Sequence, residues 1–302
     1  MNKSTKKKTL CVAGFIYFEV YAPSDPERPP DGAEIFISEI PVRPGGALNT
    51  AAVARALGTE SLIIHPSGGG LTDIALAHYV SALGIRTLNI PASPDPAVSI
   101  VFSGVHDRSF ISSADCDSLG RCPRLPECEW VHVPGIREAR ILSDRLKEAR
   151  DRGTKISISG SWHPGELDRL CTIDDEPWDL LFLNAAEAER AAGSIDEAGH
   201  RLQGSAAGII VTRGPSGSRG FFPGGEINVK ATEVDVKDST GAGDAFCAGF
   251  LSALMRNRGP EKAMEFASRV ASRQLSLTGG TPDDASVYED LRTELTEDQV
   301  NQ

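Results

Sequence analysis

Short apolar runs alternate with helix-like stretches along most of this chain, and the alternation narrows its fold to one broad class. Continuous apolar strands joined through helices form parallel sheets that are covered on both faces. The pattern therefore predicts an α/β fold with one mostly parallel, doubly wound sheet. The predicted strands lie at residues 10–18, 61–65, 87–90, 130–133, 155–159, 180–183 and 208–212, and the predicted helices at 49–57, 73–83, 136–150, 185–192, 242–256 and 260–275.

Two segments depart from this rhythm. Residues 34–43 and 98–112 alternate apolar and polar side chains over strand lengths. Such alternation is typical of an antiparallel sheet with one exposed face, so we expect a small β sheet that could act as a lid. Residues 1–8 and 294–302 are polar and are expected to be flexible termini.

The net charge and the apolar stretches exclude several classes of function. The 302-residue chain carries a formal net charge of −11, which disfavours binding to nucleic acid and to anionic membranes. No apolar stretch approaches the roughly 20 residues of a transmembrane helix. Basic residues near the start precede an apolar run, as in a secretion signal, but Glu19 ends that run and Pro23 follows the only plausible cleavage site. A first buried strand is the favoured interpretation.

The six cysteines do not form a known metal-binding pattern. Cys116, Cys122 and Cys128 are evenly spaced by six residues, whereas zinc sites use closely paired ligands. We therefore expect free thiols and a cytoplasmic protein.

The strongest motif is DSTGAGDAFCAGF at residues 238–250. Gly241, Ala242 and Gly243 lead directly into an apolar helix, whose first turn offers unpaired N–H groups and a partial positive charge to a phosphate. A carboxylate at Asp244 would repel that phosphate, unless it takes a proton from the attacking hydroxyl. Taken alone, an aspartate at a helix start is as typical of a cap.

A second motif, PGGALNTAAVARALG, occupies residues 44–58. Gly45 and Gly46 precede an alanine-rich helix that carries Asn49 in its first turn. Backbone amides and an amide side chain in this position can bind hydroxyl groups. A Gly-Gly pair before a helix is otherwise an ordinary turn.

Together these motifs resemble the signatures of the ribokinase-like, or PfkB-type, carbohydrate kinases. Two further motifs fit that family: NAAE at 184–187 resembles its NxxE motif, and TRGPSG at 212–217 resembles its TxGxxG turn. PDGAE at 30–34 resembles the turn that leads into the lid. The resemblance covers residues 9–290 and implies one three-layer α/β/α sandwich with a β lid, which such proteins often use to dimerise.

The resemblance implies a role for each motif. Asp244 would be the catalytic base, and the 241–243 amides would bind the transferred phosphoryl group. Glu187 would hold Mg²⁺ through water, K⁺ is a further candidate cofactor, and adenine would lie between residues 266 and 280. ATP would contact Asn184, Thr212, Gly214, Gly217, Asp238 and Thr240. Taken alone, the spacing of Asn184 and Glu187 is more typical of a helix cap, and residues 212–217 are more typical of a hairpin turn.

The substrate side of the motif set is less regular. The family commonly has an aspartate five residues after the first strand's glycine, whereas Glu19 follows Gly14 here. Arg43 and Arg108 could bind an acidic group on the substrate, although exposed arginines usually have no such role. Substrate contacts are thus expected from Glu19, Arg43, Gly45, Gly46, Asn49 and Arg108.

The predicted function is ATP-dependent phosphorylation of a hydroxyl on a sugar or sugar derivative. A nucleoside kinase on the same fold and a catalytically silent sugar-binding regulator remain alternatives. The predicted partners are the sugar, ATP and a second copy of the chain bound through the lid.

Overall fold

The computed structural model describes residues 8–22, 30–103, 108–172 and 178–300, without the side chains of residues 103, 108 and 298–300. Its main sheet has the strand order β13-β12-β11-β10-β9-β8-β1-β4-β5. The strands are β1 Thr9–Ala13, β4 Glu60–Ser67, β5 Arg86–Pro91, β8 Trp130–Val133, β9 Lys155–Ser159, β10 Trp178–Asn184, β11 Ala206–Thr212, β12 Ser218–Phe222 and β13 Gly225–Val229.

Eleven helices are present in the described residues. They are α1 Ala47–Ala56, α2 Leu71–Ala82, α3 Cys116–Gly120, α4 Ile136–Ile141, α5 Ser143–Asp151, α6 Pro164–Leu167, α7 Ala185–Ala192, α8 Ile195–Arg201, α9 Ala242–Leu254, α10 Pro260–Leu275 and α11 Glu289–Val300.

The sheet is parallel from β5 to β11, and β12 runs antiparallel to both of its neighbours, β11 and β13. Leu10 and Val12 of β1 pack into one buried cluster with α1, α9 and α10, whereas Cys11 and Ala13 pack into another with α4, α5, α7 and α8. Helices therefore cover both faces, and the predicted three-layer sandwich is confirmed.

The chain order places a topological switch between β1 and β8, because β4 and β5 extend the sheet on one side of β1 and β8 to β11 on the other. Ligands of open α/β sheets bind at the carboxyl ends of the strands near such a switch. The predicted motifs at Gly45–Gly46, Asn184 and Thr212 all lie at or near this edge.

The predicted first strand is divided between two sheets. β1 ends at Ala13, and the Gly14 amide still donates to Ile64 O of β4 at 3.0 Å. The chain then enters a second sheet of order β3-β2-β6-β7, with β2 Ile16–Ala22, β3 Val42–Gly46, β6 Ala97–Ser103 and β7 Arg108–Ala114. This second sheet is called the lid sheet below.

The lid sheet differs from its prediction in two respects. The expected antiparallel sheet is mixed, because β2 and β6 are parallel. The expected strand at 34–43 is mostly irregular, and only its last residues belong to β3. The expected segment at 98–112 contains β6 and β7, which pair with each other antiparallel.

Register divides the lid sheet into a polar and an apolar face. Arg43, Glu19, Ser99 and Ser112 face one another across all four strands and form the inner polar row. The next positions form the outer apolar row, which consists of Val42, Val20, Ile100 and Ile111. Glu19 and Ser99 are buried, whereas Ile111 is 63% exposed. The polar face therefore points towards the protein, and the apolar face points away from it.

Three further predictions differ from the structure. The predicted helix at 136–150 breaks at Leu142 into α4 and α5. The sequence also predicts a strand at 233–236, before the motif at 238–250, but this segment is irregular; just before it, Ser268 and Ser272 of α10 donate to Lys230 O and Thr232 O. The tail expected from residue 294 instead continues as α11, since Leu295 is fully buried.

Candidate active site

The 238–250 motif forms a loop followed by the start of α9. Gly241 is the N-cap residue with φ 71°, a left-handed conformation that favours glycine. A Cβ at Gly241 would lie 2.6 Å from Gly280 Cα, so the two chain segments approach as closely as glycine permits. The first-turn amides of α9 have no intrahelical acceptors, and Gly243 is exposed. Amides at a helix start are suited to an anion, although that of Ala242 already donates to Ser239 O at 3.4 Å.

Asp238 orders the loop before α9. Its Oδ1 accepts from the amide of Thr240 at 2.7 Å and from the Thr240 hydroxyl at 2.6 Å. Its Oδ2 accepts from the Gly279 amide at 2.8 Å. Asp238 and Thr240 therefore connect the anion-binding loop to the turn after α10, and their expected contact with ATP stays a prediction.

Asp244 lies in the first turn of α9 and faces α1. Its Oδ2 is 2.9 Å from Nδ2 of Asn49, and its Oδ1 is 3.3 Å from the hydroxyl of Thr50. Burial raises the pKa of Asp244 to about 6, and these two donors oppose the rise by favouring the ionised form. A carboxylate with this pKa is ionised at neutral pH and can still accept a proton.

Of the expected substrate residues, Asn49 contacts this carboxylate, whereas Glu19 and Gly45 contact each other just before α1. Glu19 is buried, accepts from the Tyr21 hydroxyl at 3.0 Å, and packs directly on Gly45, where a Cβ would overlap its carboxylate. Gly46 has φ 68° and precedes α1. The Asn49 amide is 5% exposed, and it bonds to Asp244 and Thr281. A direct contact from Asn49 to substrate stays a prediction.

Asn184 and Glu187 form a helix cap at the carboxyl end of β10. Asn184 Oδ1 accepts from the amide of Glu187, and Glu187 Oε2 accepts from the amide of Asn184, both at 2.9 Å. The Glu187 carboxylate packs on Gly160 at the end of β9. Burial raises the pKa of Glu187. The capping alternative is thus present, and the ATP and metal roles stay predictions.

The 212–217 segment is a turn between β11 and β12. Arg213 N donates to Gly217 O at 2.7 Å, and Thr212 donates weakly to Leu183 O. Gly214 and Gly217 have φ values of 54° and 82°. The hairpin alternative is therefore present as well, at the strand edge where a nucleotide could lie.

The two arginines expected at the substrate are Arg43 and Arg108. Arg43 donates to Asp283 at 3.0 Å, so its charge is already paired. The side chain of Arg108 lies outside the described part of the structure. Nothing in the described residues brings Arg43 into a free anion-binding position.

Three residues of the site escaped the sequence analysis. Thr50 follows Asn49 within the motif at residues 44–58, so its position gave a signal that was not used. Thr281 and Asp283 follow α10 outside every motif, and only the folded chain brings them to Asn49 and Arg43.

Comparison with known proteins identifies the family. Residues 134–285 match the pfkB family of carbohydrate kinases. The chain belongs to this family. Ribokinase from Bacillus subtilis (strain 168) is 24% identical over 290 residues, which cover 91% of this chain and 96% of that enzyme. Nucleoside kinase from Methanothermobacter thermautotrophicus is 35% identical over 254 residues, 76% of each chain.

The fold of this pfkB protein also matches solved structures. The crystal structure of a probable sugar kinase from Rhizobium etli CFN 42 aligns with a TM-score of 0.79 and 17% identity, over 96% of this chain and 100% of that one. As a pfkB carbohydrate kinase, the protein is an ATP-dependent phosphotransferase whose acceptor is an alcohol group.

The described residues contain neither a membrane-spanning helix nor a cluster of metal-binding side chains. None of the helices that the structure describes is long and apolar enough to cross a membrane. In the same part of the chain, no group of three His, Cys, Asp or Glu side chains could hold a metal ion.

Proposed function

We propose that this protein transfers the γ-phosphoryl group of ATP to a hydroxyl of a sugar or sugar derivative, with Asp244 as the general base. The position of Asp244 carries the proposal. It is a carboxylate with a pKa near 6, and it lies in the first turn of α9, beside amides suited to an anion. Burial does not improve a helix cap, whereas it raises the pKa of a general base towards neutral pH, where proton transfer is most effective.

The proposed reaction is an in-line displacement. The acceptor oxygen forms a bond to the γ-phosphorus while the bond from that phosphorus to the bridging β–γ oxygen breaks, and ADP leaves. The acceptor's proton passes to the Asp244 carboxylate. Asn49 and Thr50 each occupy one lone pair on a different carboxylate oxygen, so a lone pair remains for the proton.

The amides of Gly241, Ala242 and Gly243 are proposed to stabilise charge on the transferred group. Backbone donors at a helix start need no reorganisation as charge develops, and the helix dipole adds to their effect. The close packing of Gly241 on Gly280 holds these amides in place.

The nucleotide is proposed to lie along Asn184, Thr212, Gly214, Gly217, Asp238 and Thr240, with Mg²⁺ on its phosphates. Mg²⁺ takes oxygen ligands and is usually held by one or two carboxylates together with waters and phosphates. Glu187 fits such a role, because its Oε1 accepts no hydrogen bond from the described residues. The ion would neutralise phosphate charge. K⁺ is a further proposed cofactor, and the use of ATP supports a cytoplasmic location.

The acceptor is proposed to bind between the inner polar row of the lid sheet and the start of α1. Glu19 lies over Gly45 there, just before α1, and Asn49 of α1 bonds to the base across 195 residues of sequence. Carboxylate and hydroxyl groups of this kind recognise neutral hydroxyls. Arg43 would add recognition of an acidic group only after it leaves Asp283.

The outer apolar row of the lid sheet supports a homodimer. Three of its side chains, those of Val42, Ile100 and Ile111, are more than two-fifths exposed. Phe36, in the irregular segment before β3, is 86% exposed. A continuous apolar face of this kind is typical of an interface. We infer that a second copy of the chain covers it. Sedimentation analysis of Ile111→Lys beside the unchanged protein tests this, since a monomer in both would exclude the lid interface.

A nucleoside is the second candidate acceptor, because the 35% identical relative is a nucleoside kinase. A panel of pentoses, hexoses, sugar acids and nucleosides, assayed by ADP release, separates the two classes. Selective turnover of nucleosides would replace the sugar proposal without changing the role of Asp244.

Replacement of Asp244 by Asn tests the proposed base. Asn retains the shape but accepts no proton, so single-turnover transfer should fall by about two to four orders of magnitude. ATP affinity should persist or increase, because a negative charge near the phosphates is removed. Asp235→Asn, an exposed change just before the motif, is the control. Transfer within a few-fold of the unchanged enzyme by folded Asp244→Asn protein would exclude the mechanism.

A further inference from the structure

A chain of hydrogen bonds connects the turn after α10 to the proposed base. The Thr281 hydroxyl donates to Asn49 Oδ1 at 2.7 Å, and Asn49 Nδ2 donates to Asp244 Oδ2 at 2.9 Å. Thr50 donates to the other carboxylate oxygen at 3.3 Å. Four residues from three separate parts of the chain thus form one network around a single carboxylate.

The network is enclosed by protein. Thr50 is fully buried, Thr281 is 4% exposed and Asn49 is 5% exposed. A Cβ on Gly280 would lie 2.6 Å from Asn49 Nδ2, so glycine at this position lets the amide lie flat against the backbone. Buried side chains with satisfied polar atoms have few alternative rotamers, so the network holds one geometry.

Thr281 determines which end of the Asn49 amide faces Asp244. An ionised carboxylate only accepts hydrogen bonds, so Asn49 must present its NH₂ group to it. The amide oxygen then points away and needs a donor, which Thr281 supplies. Without that donor, the buried amide oxygen would lack a hydrogen-bond partner, which is unfavourable.

We propose that Thr50 and Thr281 are positioning residues for the base: Thr50 holds one oxygen of Asp244 directly, and Thr281 holds the other through Asn49. Their effect on catalysis rests on the proposed function of Asp244. Their effect on the carboxylate itself does not. Both threonines stabilise the ionised carboxylate and restrict its rotation, so that it is deprotonated and aligned when a hydroxyl binds.

Few other titratable groups face this carboxylate. Cys247 lies one turn further along α9, near enough to both Asp244 and Glu187 of α7 for the two carboxylates to affect its thiol. Burial raises the pKa of the Cys247 thiol, and both carboxylates raise it further. From α1 the facing groups are Asn49 and Thr50, and from the turn after α10 Thr281, none of which is charged. Asp238 is engaged by Thr240 and Gly279.

Carboxyl ¹³C NMR of protein labelled at aspartate measures the effect without any substrate. The signal lost in Asp244→Asn protein identifies Asp244. Thr50→Val removes a donor at nearly constant volume and should raise the measured pKa by about half a unit to one unit. Thr281→Val should raise it by less, because it acts through Asn49. Thr50→Ser restores a hydroxyl and should restore the pKa of the unchanged protein.

Thr59→Val is the matched control. Thr59 is also buried at 3% exposure and bonds to Ser252, but it lies beyond the opposite end of α1. Loss of its hydroxyl should leave the Asp244 titration unchanged. A Thr50→Val titration that coincides with that of the unchanged protein would overturn the proposal, as would an equal shift in Thr59→Val.

A pH profile of turnover with MgATP and D-ribose connects the titration to the rate. The acidic limb should move to higher pH in Thr50→Val by the same amount as the NMR pKa. If Asp244→Asn protein retains turnover while the Thr50→Val titration shifts, the base assignment fails and the positioning network stands. If the titration does not shift, the network fails whatever the rates.

Discussion

Arg43 of the lid sheet donates to the carboxylate of Asp283, with 3.0 Å between Nη1 and Oδ2. Tyr79 of α2 donates to the same carboxylate at 2.5 Å. Asp283 follows Thr281 by two residues, so one short segment contacts both the lid sheet and the network around Asp244. The lid sheet is therefore tied to the same turn that contacts Asn49 beside Asp244, the proposed base.

We expect Asp283→Asn to loosen the lid rather than the fold. The Asp283 side chain is 61% exposed, so the ion pair should contribute less than about 1 kcal/mol to stability. The Michaelis constant for the acceptor should rise by about two- to fivefold, and it should become less sensitive to salt. Initial rates at low and high ionic strength measure both effects.

Arg43→Met separates this tie from substrate binding. If Arg43 acts through Asp283, both variants and the double variant should show the same loss, because all three remove one interaction. A much larger loss in Arg43→Met, seen only with acidic acceptors, would show that Arg43 binds the substrate instead.

Glu19→Asp should change which acceptor is preferred. The shorter side chain withdraws the carboxylate from its position over Gly45, by about the length of one C–C bond, and hydroxyl recognition depends strongly on such geometry. Ratios of kcat/KM across the acceptor panel should shift by about tenfold, with the Michaelis constant for ATP unchanged. Glu39→Asp on the exposed segment before β3 is the control. An identical acceptor profile would remove Glu19 from the substrate site.

Glu187→Gln should weaken the use of Mg²⁺ without unfolding the cap. The glutamine oxygen can still accept from the Asn184 amide, so α7 keeps its start. Because the negative charge is lost, half-maximal activity should require about tenfold more Mg²⁺. Glu189→Gln, exposed on the same helix, should leave the Mg²⁺ dependence unchanged. If activity depends on Mg²⁺ equally in the unchanged protein and in both variants, Glu187 serves only as a helix cap.

Asp244→Asn should stabilise the protein at neutral and alkaline pH. The pKa of Asp244 is raised from 3.8 to about 6 in the folded state, so the folded protein binds the proton more tightly than the unfolded chain. The stability of the unchanged protein therefore falls as pH rises between these values, and the variant escapes this loss. The gain should be about 1–2 kcal/mol at about pH 8 and should vanish near pH 4. Thermal unfolding across this range measures it.

Local patterns predicted most of the main sheet, and also the loop at residues 238–241 and the helix α9 that follows it. The buried parallel strands β8 and β9 are short segments with apolar residues at every second position or more, and their predicted bounds match the structure. The single strand predicted at residues 10–18 is wrong, because an apolar run does not reveal that the chain passes at Gly14 from the main sheet (β1) into the lid sheet (β2). The strand expected at 233–236 is wrong: the chain is irregular there, and the carbonyls just before it, at Lys230 and Thr232, accept from serines of α10 that are remote in sequence.

The site itself was predicted as two motifs but not as one network. The sequence placed a polar amide in the first turn of α1 and a carboxylate in the first turn of α9. That Asn49 bonds to Asp244 rather than pointing away is a tertiary contact over 195 residues. Thr281 belongs to no motif, so only the packing of Gly280 on Asn49 reveals its part.

Substitutions should be tolerated less well at the glycines beside Asp244 than in the strands of the lid sheet. Any side chain at Gly241 would collide with Gly280, and any at Gly280 would collide with Asn49. A library randomised at these positions should return glycine after selection for activity. Ser99 and Ser112 on the inner polar row contact each other across two strands at the lid and leave the base untouched. Directed evolution of acceptor range should therefore begin in the lid strands and keep the phosphoryl-transfer half constant.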